Sequence, residues 1–183
     1  NGIDPGQGSV ADVDGDGIPD GCCDDPSDCP LGSNCNGSGV CEATSDPDIE
    51  LGIGGDTFAY ARLRGGEDWI LYKGPQGYVD SYPTMRVVGF TAGADVEVFI
   101  QITCVDCAGG SQLIAQSTDV RTLNAVGSEP GVAQVAEFWV ILFAAPETVN
   151  GRALEVSATL TDFNNPAITA TVELTLIADV REP

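Results

Sequence analysis

An alternation of apolar and polar residues recurs along the chain from residue 49 onward, and it restricts the fold more than any other feature. In residues 96–102, one face of an extended strand carries Val96, Val98, Ile100 and Ile102. Because side chains alternate between the two faces of a strand, this period predicts strands with one buried face. Turn-forming residues bound eight such segments: 57–63, 68–73, 85–91, 95–104, 111–117, 132–143, 153–161 and 167–178.

Eight short strands without helical periodicity predict an all-β protein with an immunoglobulin-like β-sandwich. The spacing of Cys and Trp in antibody domains is absent, so only the architecture is predicted. Residues 162–166 have the composition of a turn and are expected to join the last two strands as a hairpin. The strand at 167–178 is long and mostly uncharged, and we expect it to form a sheet edge that pairs with another chain.

The charge of the chain is strongly negative and unevenly distributed. The formal net charge is −21, and residues 1–48 contain eleven acidic and no basic residues. Nucleic-acid binding needs a basic surface, so we expect no nucleic-acid partner, and the negative charge also disfavours binding to anionic lipid surfaces. The sequence has no apolar run of about 18 residues, so it predicts no membrane span.

Carboxylates alternate in the segment Asp12-Val13-Asp14-Gly15-Asp16-Gly17-Ile18-Pro19-Asp20. Calcium prefers six to eight oxygen ligands at roughly 2.3–2.6 Å, and a curled loop with inward-pointing alternate residues supplies them. Gly17 permits the sharp turn, and Ile18 offers a backbone carbonyl. The twelfth loop position is Cys23 rather than glutamate, and the flanking Gly, Pro and Cys residues leave no room for the helices of an EF-hand.

This string resembles the calcium-binding repeat of thrombospondin type 3 proteins, over about residues 12–30. The resemblance implies a calcium ion held in a helix-free loop pinned by disulfides. Its implied ligands are Asp12, Asp14, Asp16, the carbonyl of Ile18, Asp20 and, less well matched in spacing, Asp24. The alternative is a solvated acidic linker.

Seven cysteines predict disulfide bonds, because five of them fall between residues 22 and 41. Zinc is the alternative, although the chain has no histidine to complete a site. The spacing from Cys23 to Cys41 resembles small cysteine-rich modules of secreted proteins. Among the three connectivities open to four cysteines we expect Cys23–Cys35 and Cys29–Cys41. Cys22 is left over.

Cys104 and Cys107 form a separate C-x-x-C motif. Such a motif can be a redox-active pair, which requires a helix N-terminus to lower a thiol pKa. Here it lies between two predicted strands and precedes two glycines, so we expect a structural disulfide across a turn.

Catalysis is not expected. Without histidine the chain cannot form a Ser-His-Asp or Cys-His nucleophile. Glycoside hydrolysis needs two acids flanking a cleft. The acids in the predicted strands, among them Glu97, Glu137 and Glu155, are expected to face water.

Four aromatic residues, Trp69, Tyr72, Tyr78 and Tyr82, cluster around the segment Gly74-Pro75-Gln76-Gly77. If these side chains are exposed, they would form a platform that stacks on sugar rings. If they are buried, they pack in the core. The sequence thus offers a second function, a carbohydrate- or other ligand-binding module.

The first function predicted is a secreted, calcium-binding structural protein. The segment from Ile49 to Tyr78 resembles bacterial secreted surface proteins, which implies an extracellular or cell-surface location after removal of a signal sequence. We expect an acidic calcium-binding and cysteine-rich module with a linker at residues 1–48 and a β-sandwich domain at residues 49–183. Homo-oligomers or filaments would form through edge strands.

Overall fold

The structure is a computed structural model that describes residues 29–35, 41–55 and 59–182 of the chain. For Asn34 and Cys35 it describes the backbone alone. The chain divides into two units, Asn1–Ser45 and Asp46–Pro183.

The first unit contains a small antiparallel ribbon of strands β1 (Ser33–Cys35) and β2 (Cys41–Ala43). A disulfide bond joins Cys29 to Cys41, with a Cα–Cα distance of 5.4 Å. Just outside the ribbon, the Thr44 N–H donates to the Gly32 carbonyl at 2.8 Å. Because an isolated two-stranded ribbon is marginally stable in water, the disulfide supplies a constraint that packing alone does not.

In its described residues, the second unit contains twelve strands and one helical turn. They are β3 (Asp48–Ile53), β4 (Ala61–Arg62), β5 (Asp68–Lys73), β6 (Val79–Ser81), β7 (Pro83–Val88), β8 (Asp95–Cys104), β9 (Gln112–Thr122), β10 (Asn124–Ala125), β11 (Ala133–Val135), β12 (Val140–Leu142), α1 (Pro146–Val149), β13 (Ala153–Asp162) and β14 (Thr169–Arg181). Two sheets pack face to face, which confirms the predicted all-β sandwich.

The larger sheet has seven strands in the order β12-β6-β5-β14-β13-β8-β9. Its strands pair antiparallel, except that β14 runs parallel to β5. The predicted alternation in β8 is confirmed, since the side chains of its inward row are fully buried: Val96, Val98, Ile100 and Ile102. Burying each aliphatic side chain contributes about 1.5–3 kcal/mol, so such rows dominate the stability of the sandwich.

The smaller sheet has five strands in the order β10-β11-β7-β3-β4. Leu51, Met85 and Val135 lie in register across β3, β7 and β11, and all three are buried against the larger sheet. The neighbouring register row is Glu50, Arg86 and Gln134, which lies on the opposite face of this sheet.

Two segments carry the chain from one sheet to the other. Tyr82 separates β6 of the larger sheet from β7 of the smaller one, and residues 136–139 separate β11 from β12. The Phe138 N–H donates to the Pro83 carbonyl at 2.8 Å, which holds the two crossings together. The prediction of one continuous strand at 132–143 is therefore wrong. The buried apolar side chains shift there from odd positions (Ala133, Val135) to even ones (Phe138, Val140, Leu142).

The prediction that residues 167–178 form a sheet edge is also wrong. Strand β14 lies inside the larger sheet, between β5 and β13. Its parallel pairing with β5 joins residues about a hundred positions apart, such as Asp68 and Ile177, which no local pattern reveals. The predicted hairpin is confirmed, because β13 and β14 pair antiparallel on either side of residues 163–168.

Candidate ligand-binding site

The predicted calcium ligands Asp12, Asp14, Asp16, Ile18, Asp20 and Asp24 all lie outside the described residues. Within the described ranges, no group of three or more His, Cys, Asp or Glu side chains is placed to hold a metal ion. Calcium binding by the N-terminal segment thus stays a prediction.

Two disulfide bonds are present among the described cysteines. Besides Cys29–Cys41, the structure joins Cys104 to Cys107 with a Cα–Cα distance of 5.6 Å. Both sulfurs of the second bond are in buried residues, and the Asp106 carboxylate in the turn accepts a hydrogen bond from the Ala153 N–H at 2.9 Å. This buried, anchored bond is structural in character. For the predicted Cys23–Cys35 pair, Cys23 and the side chain of Cys35 lie outside the described part of the chain, as does Cys22.

The four aromatic residues singled out in the sequence do not share one face. Trp69 is fully buried on the inward face of β5, so the predicted platform needs correction at this residue. Tyr72, three positions later on the same strand, is on the outward face, because side chains alternate. Tyr78 and Tyr82 flank β6 on that same outward face, on either side of the buried Val79 and Ser81.

Strand β12 adds two aromatic residues that the sequence interpretation missed. It pairs antiparallel with β6, with Val140 opposite Ser81 and Leu142 opposite Val79. This register places Trp139 and Phe143, at the ends of β12, next to the positions of Tyr82 and Tyr78. The rings of Tyr78 and Phe143 meet edge to face at 5.7 Å between centroids.

We call the resulting surface the aromatic face. Its side chains are between 41% and 67% exposed: Tyr72, Tyr78, Tyr82, Trp139 and Phe143. Large apolar side chains exposed side by side on one surface are typical of interaction sites. The aromatic face is therefore the strongest candidate for a functional surface in the described part of the chain.

A cleft of about 530 Å³ opens beside the aromatic face and uses two of its tyrosines as walls. Its size falls in the range of small-molecule sites, about 300–1,000 Å³. The apolar lining consists of Ile53, Gly54, Ala59, Ala61, Ile70, Tyr72 and Tyr82. Two polar residues complete it, Ser81 and Glu137. An apolar cleft with few polar groups is the usual composition of a ligand site.

Thr84 fixes the rim of this cleft. Its hydroxyl donates to the Gly54 carbonyl and accepts a hydrogen bond from the Glu137 N–H at 3.1 Å. Glu137 has a φ of 50°, a left-handed conformation that is costly for a residue with a Cβ. The exposed Glu137 side chain is thus presented from a fixed, strained backbone position.

Ser81 is the second polar group of the cleft. The residue is 1% exposed, and its Oγ has no hydrogen-bond partner among the described residues. A buried hydroxyl without a partner costs roughly 1–3 kcal/mol, which a ligand able to hydrogen-bond would recover.

A separate charged network covers the outer face of the smaller sheet. The Arg62 Nε lies 3.3 Å from the Glu50 carboxylate, and Arg86 pairs with Glu129 at 2.7 Å. The Arg86 guanidinium carbon lies over the Tyr60 ring, 3.8 Å from the ring centroid. Burial raises the pKa of Glu50 above its ordinary value of 4.5, against the opposing charge of Arg62. Burial and the Glu50 charge also raise the pKa of Tyr60, which keeps its phenol neutral.

The larger sheet has a different exposed surface around β8, β13 and β14. A shallow groove of about 390 Å³ is lined there by polar residues such as Gln101, Glu155 and Glu173. The hydroxyls of Thr159 and Thr171 lie 2.9 Å apart across the hairpin. Glu155 and Glu173 are exposed, and none of the described residues that line the groove is aromatic. It is a weaker candidate than the cleft beside Tyr72 and Tyr82.

The comparison with known proteins identifies no family for this chain. No known protein family matches the sequence, and no curated protein matches it. The N-terminal domain of PorA is similar over 70% of this chain and 97% of its own, with 12% identity and a TM-score of 0.31. Spo0M, a sporulation control protein from Bacillus subtilis, is similar over 74% of this chain, with 14% identity and a TM-score of 0.31. The match spans 50% of the Spo0M chain.

None of the helical structure in the described ranges is long and apolar enough to span a membrane. The disulfide bonds are compatible with an extracellular protein, because such bonds persist in oxidising compartments.

Proposed function

We propose that this chain is an extracellular binding module whose aromatic face binds carbohydrate. The observation that carries the proposal is the exposure of five aromatic side chains on one side of β5, β6 and β12, beside an apolar cleft. A soluble domain exposes such side chains at a cost in solubility, so a ligand that covers them gives their position a physical reason.

The chemistry of the aromatic face fits a sugar. A pyranose ring presents an apolar face of C–H groups that stacks on an aromatic ring, and hydroxyls around its edge that need hydrogen bonds. Tyrosine supplies both a ring and a hydroxyl. Asp80 lies on the same outward face between Tyr78 and Tyr82, and Glu137 stands at the cleft, so carboxylate acceptors are close to the rings.

The test is binding to a panel of soluble oligosaccharides and insoluble polysaccharides, measured by calorimetry and by sedimentation with the polymer. We expect Tyr82→Ala and Trp139→Ala each to weaken binding by at least about tenfold, because each removes a stacking surface. Phe163→Ala is the matched control, since Phe163 is at least as exposed as either residue but lies in the β13–β14 turn. Equal losses in all three variants, or no binding by the intact chain, would contradict the proposal.

We also propose that residues 12–24 bind calcium and thereby stiffen the N-terminal unit. The alternating carboxylates support this proposal, and the disulfide-bonded ribbon that follows them supplies a fixed end for the loop. Calorimetric titration with calcium should give a saturable heat. The paired substitution Asp14→Asn and Asp16→Asn should abolish it, whereas Asp46→Asn, in the linker, should not. An unchanged heat in the paired variant would refute the assignment.

Self-assembly through an edge strand is the remaining element of the predicted structural function. In the described structure the edge that fits this role is β9, whose outer side is covered only near Ile114, where the Phe143 N–H donates to the Ile114 carbonyl at 2.7 Å. The Val120 N–H bonds to the Asp119 side chain rather than to β8. Val120→Pro should therefore leave the β8–β9 ladder intact and reduce oligomer size in sedimentation velocity. An unchanged distribution would exclude this edge.

A further inference from the structure

The polar groups of the cleft beside the aromatic face favour one kind of sugar. Of the described residues that line the cleft, Glu137 is the one with a charge. The remaining walls are apolar or aromatic, apart from the hydroxyl of Ser81. A site whose described lining is negative and contains no basic residue attracts a cationic group and repels an acidic sugar.

The tyrosine walls of the cleft also favour a cationic ligand. The face of an aromatic ring carries negative charge density and attracts an ammonium group within about 6 Å of its centroid. Tyr72 and Tyr82 both line the cleft and remain exposed. The net charge of −21 adds a long-range attraction for cations at low ionic strength.

Ser81 provides an independent observation. The residue lines the cleft, and its buried Oγ lacks a hydrogen-bond partner among the described residues. An ammonium group has several N–H donors and no acceptor, and therefore satisfies both a hydroxyl oxygen and a carboxylate. A neutral hydroxyl of a sugar satisfies the serine but gains less from the carboxylate, because a charge-assisted hydrogen bond is the stronger one.

Hydrogen bonds to Thr84 hold the backbone of Glu137 and of its neighbour across the rim in place. The left-handed φ of 50° at Glu137 persists because Thr84 binds both Glu137 and Gly54 at the rim. Strained residues that the surrounding structure holds in place are concentrated at ligand sites. The strain at Glu137 is thus a third feature of the same cleft.

We propose that the cleft binds an amino sugar with a free, protonated amine, such as a glucosamine unit of a β-linked chain. The sugar ring stacks on the tyrosine walls, its ammonium group pairs with Glu137, and Ser81 accepts a hydrogen bond from the ligand. This inference rests on the proposed carbohydrate binding by the aromatic face, and it names the sugar class.

The experiment compares two ligands of equal length, a glucosamine hexamer and its fully N-acetylated counterpart, by calorimetry at mildly acidic pH. We expect the intact chain to bind the glucosamine hexamer at least about tenfold more tightly. Glu137→Gln should remove this preference, because it should weaken binding of the glucosamine hexamer by at least about tenfold more than binding of the acetylated hexamer. Glu155→Gln, an exposed acid on β13, is the control for general loss of negative charge and should keep the preference.

Each other outcome has a defined meaning. Equal affinity for the two hexamers, with Glu137→Gln like the intact chain, overturns the amino-sugar inference and leaves carbohydrate binding standing. A preference that survives Glu137→Gln also overturns it, because the attraction then comes from the overall charge. No binding of either hexamer, with no binding across the wider glycan panel, refutes the proposed function itself. Equally tight binding of a lysine hexapeptide assigns the cleft to a basic peptide and overturns the inference.

Discussion

Single residues in this protein store and release free energy in ways that their exposure does not reveal. Glu137 is exposed, yet its left-handed backbone costs about 1–2 kcal/mol for any residue with a Cβ. Glycine escapes that cost but loses about 0.5–1 kcal/mol through its greater freedom in the unfolded chain. We therefore expect Glu137→Gly to raise the free energy of unfolding by about 0.5–1 kcal/mol in urea denaturation.

Glu137→Ala is the control for this prediction, because it removes the same carboxylate but keeps a Cβ. Glu137→Ala should not raise the free energy of unfolding as Glu137→Gly does. A glycine variant that is less stable than the alanine variant would show that the backbone at this position is not strained.

Glu50 gives a pH dependence whose sign follows from burial. Its pKa is higher in the folded chain than its ordinary value of 4.5, so the folded state holds the proton more readily. The stabilising contribution of Glu50 is complete below that ordinary value and is lost as the pH rises through the folded pKa. The stability of the intact chain relative to Glu50→Gln should therefore fall as the pH rises above the ordinary value of 4.5.

Urea unfolding of both chains at several pH values measures this difference, and changes in the rest of the molecule cancel between them. The same series with Glu155→Gln, at an exposed position, is the control. A relative stability of the intact chain that rises with pH would mean that the pairing with Arg62 outweighs burial.

At the scale of elements, the close approach of β3 to its neighbours depends on a glycine. The Tyr60 ring lies across Gly52, and a Cβ there would clash with this ring and lie 2.6 Å from the Ala61 carbonyl oxygen. Gly52→Ala should lower the free energy of unfolding by about 1–3 kcal/mol, because the ring or strand β4 has to move. Gly65→Ala, where a Cβ meets nothing within 4 Å, should change it by less than about 0.5 kcal/mol. Thermal unfolding of the two variants and of the intact chain tests whether Gly52→Ala is the more destabilising substitution.

Elements with a clear two-residue period were predictable from the sequence. The predicted bounds of β5 and β8 match the structure, at Asp68–Lys73 and Asp95–Cys104. Strand β3 was missed because four consecutive residues are buried, and β6 because it has only three residues. Of the segment predicted at 57–63, the described strand is Ala61–Arg62.

The candidate site was only partly predictable for the same reason. Trp69 and Tyr72 are three positions apart, so they lie on opposite faces of a strand. The predicted platform grouped the aromatic residues by their nearness in sequence and did not use this spacing. Trp139 and Phe143 lie in a segment that is apolar at most positions, so alternation could not separate outward from inward side chains there. The cleft itself depends on the two crossings between sheets, which long-range pairing creates.

At the scale of the whole molecule, the acidic unit and the sandwich should respond separately to calcium. Hydrogen–deuterium exchange with calcium and with chelator measures both units at once. We expect calcium to slow exchange of the amides in residues 12–24 by at least about tenfold, as ligand binding to a folded loop stabilises it. Amides of β8 and β13 should be unaffected. Equal exchange of residues 12–24 in both conditions would contradict calcium binding.

The central position of β14 has a consequence for synthesis. Strands β12, β6 and β5 on one side pair with strands β13, β8 and β9 on the other through this strand, which is the last in the described chain. The larger sheet therefore cannot form completely during synthesis until nearly all of the sandwich has left the ribosome.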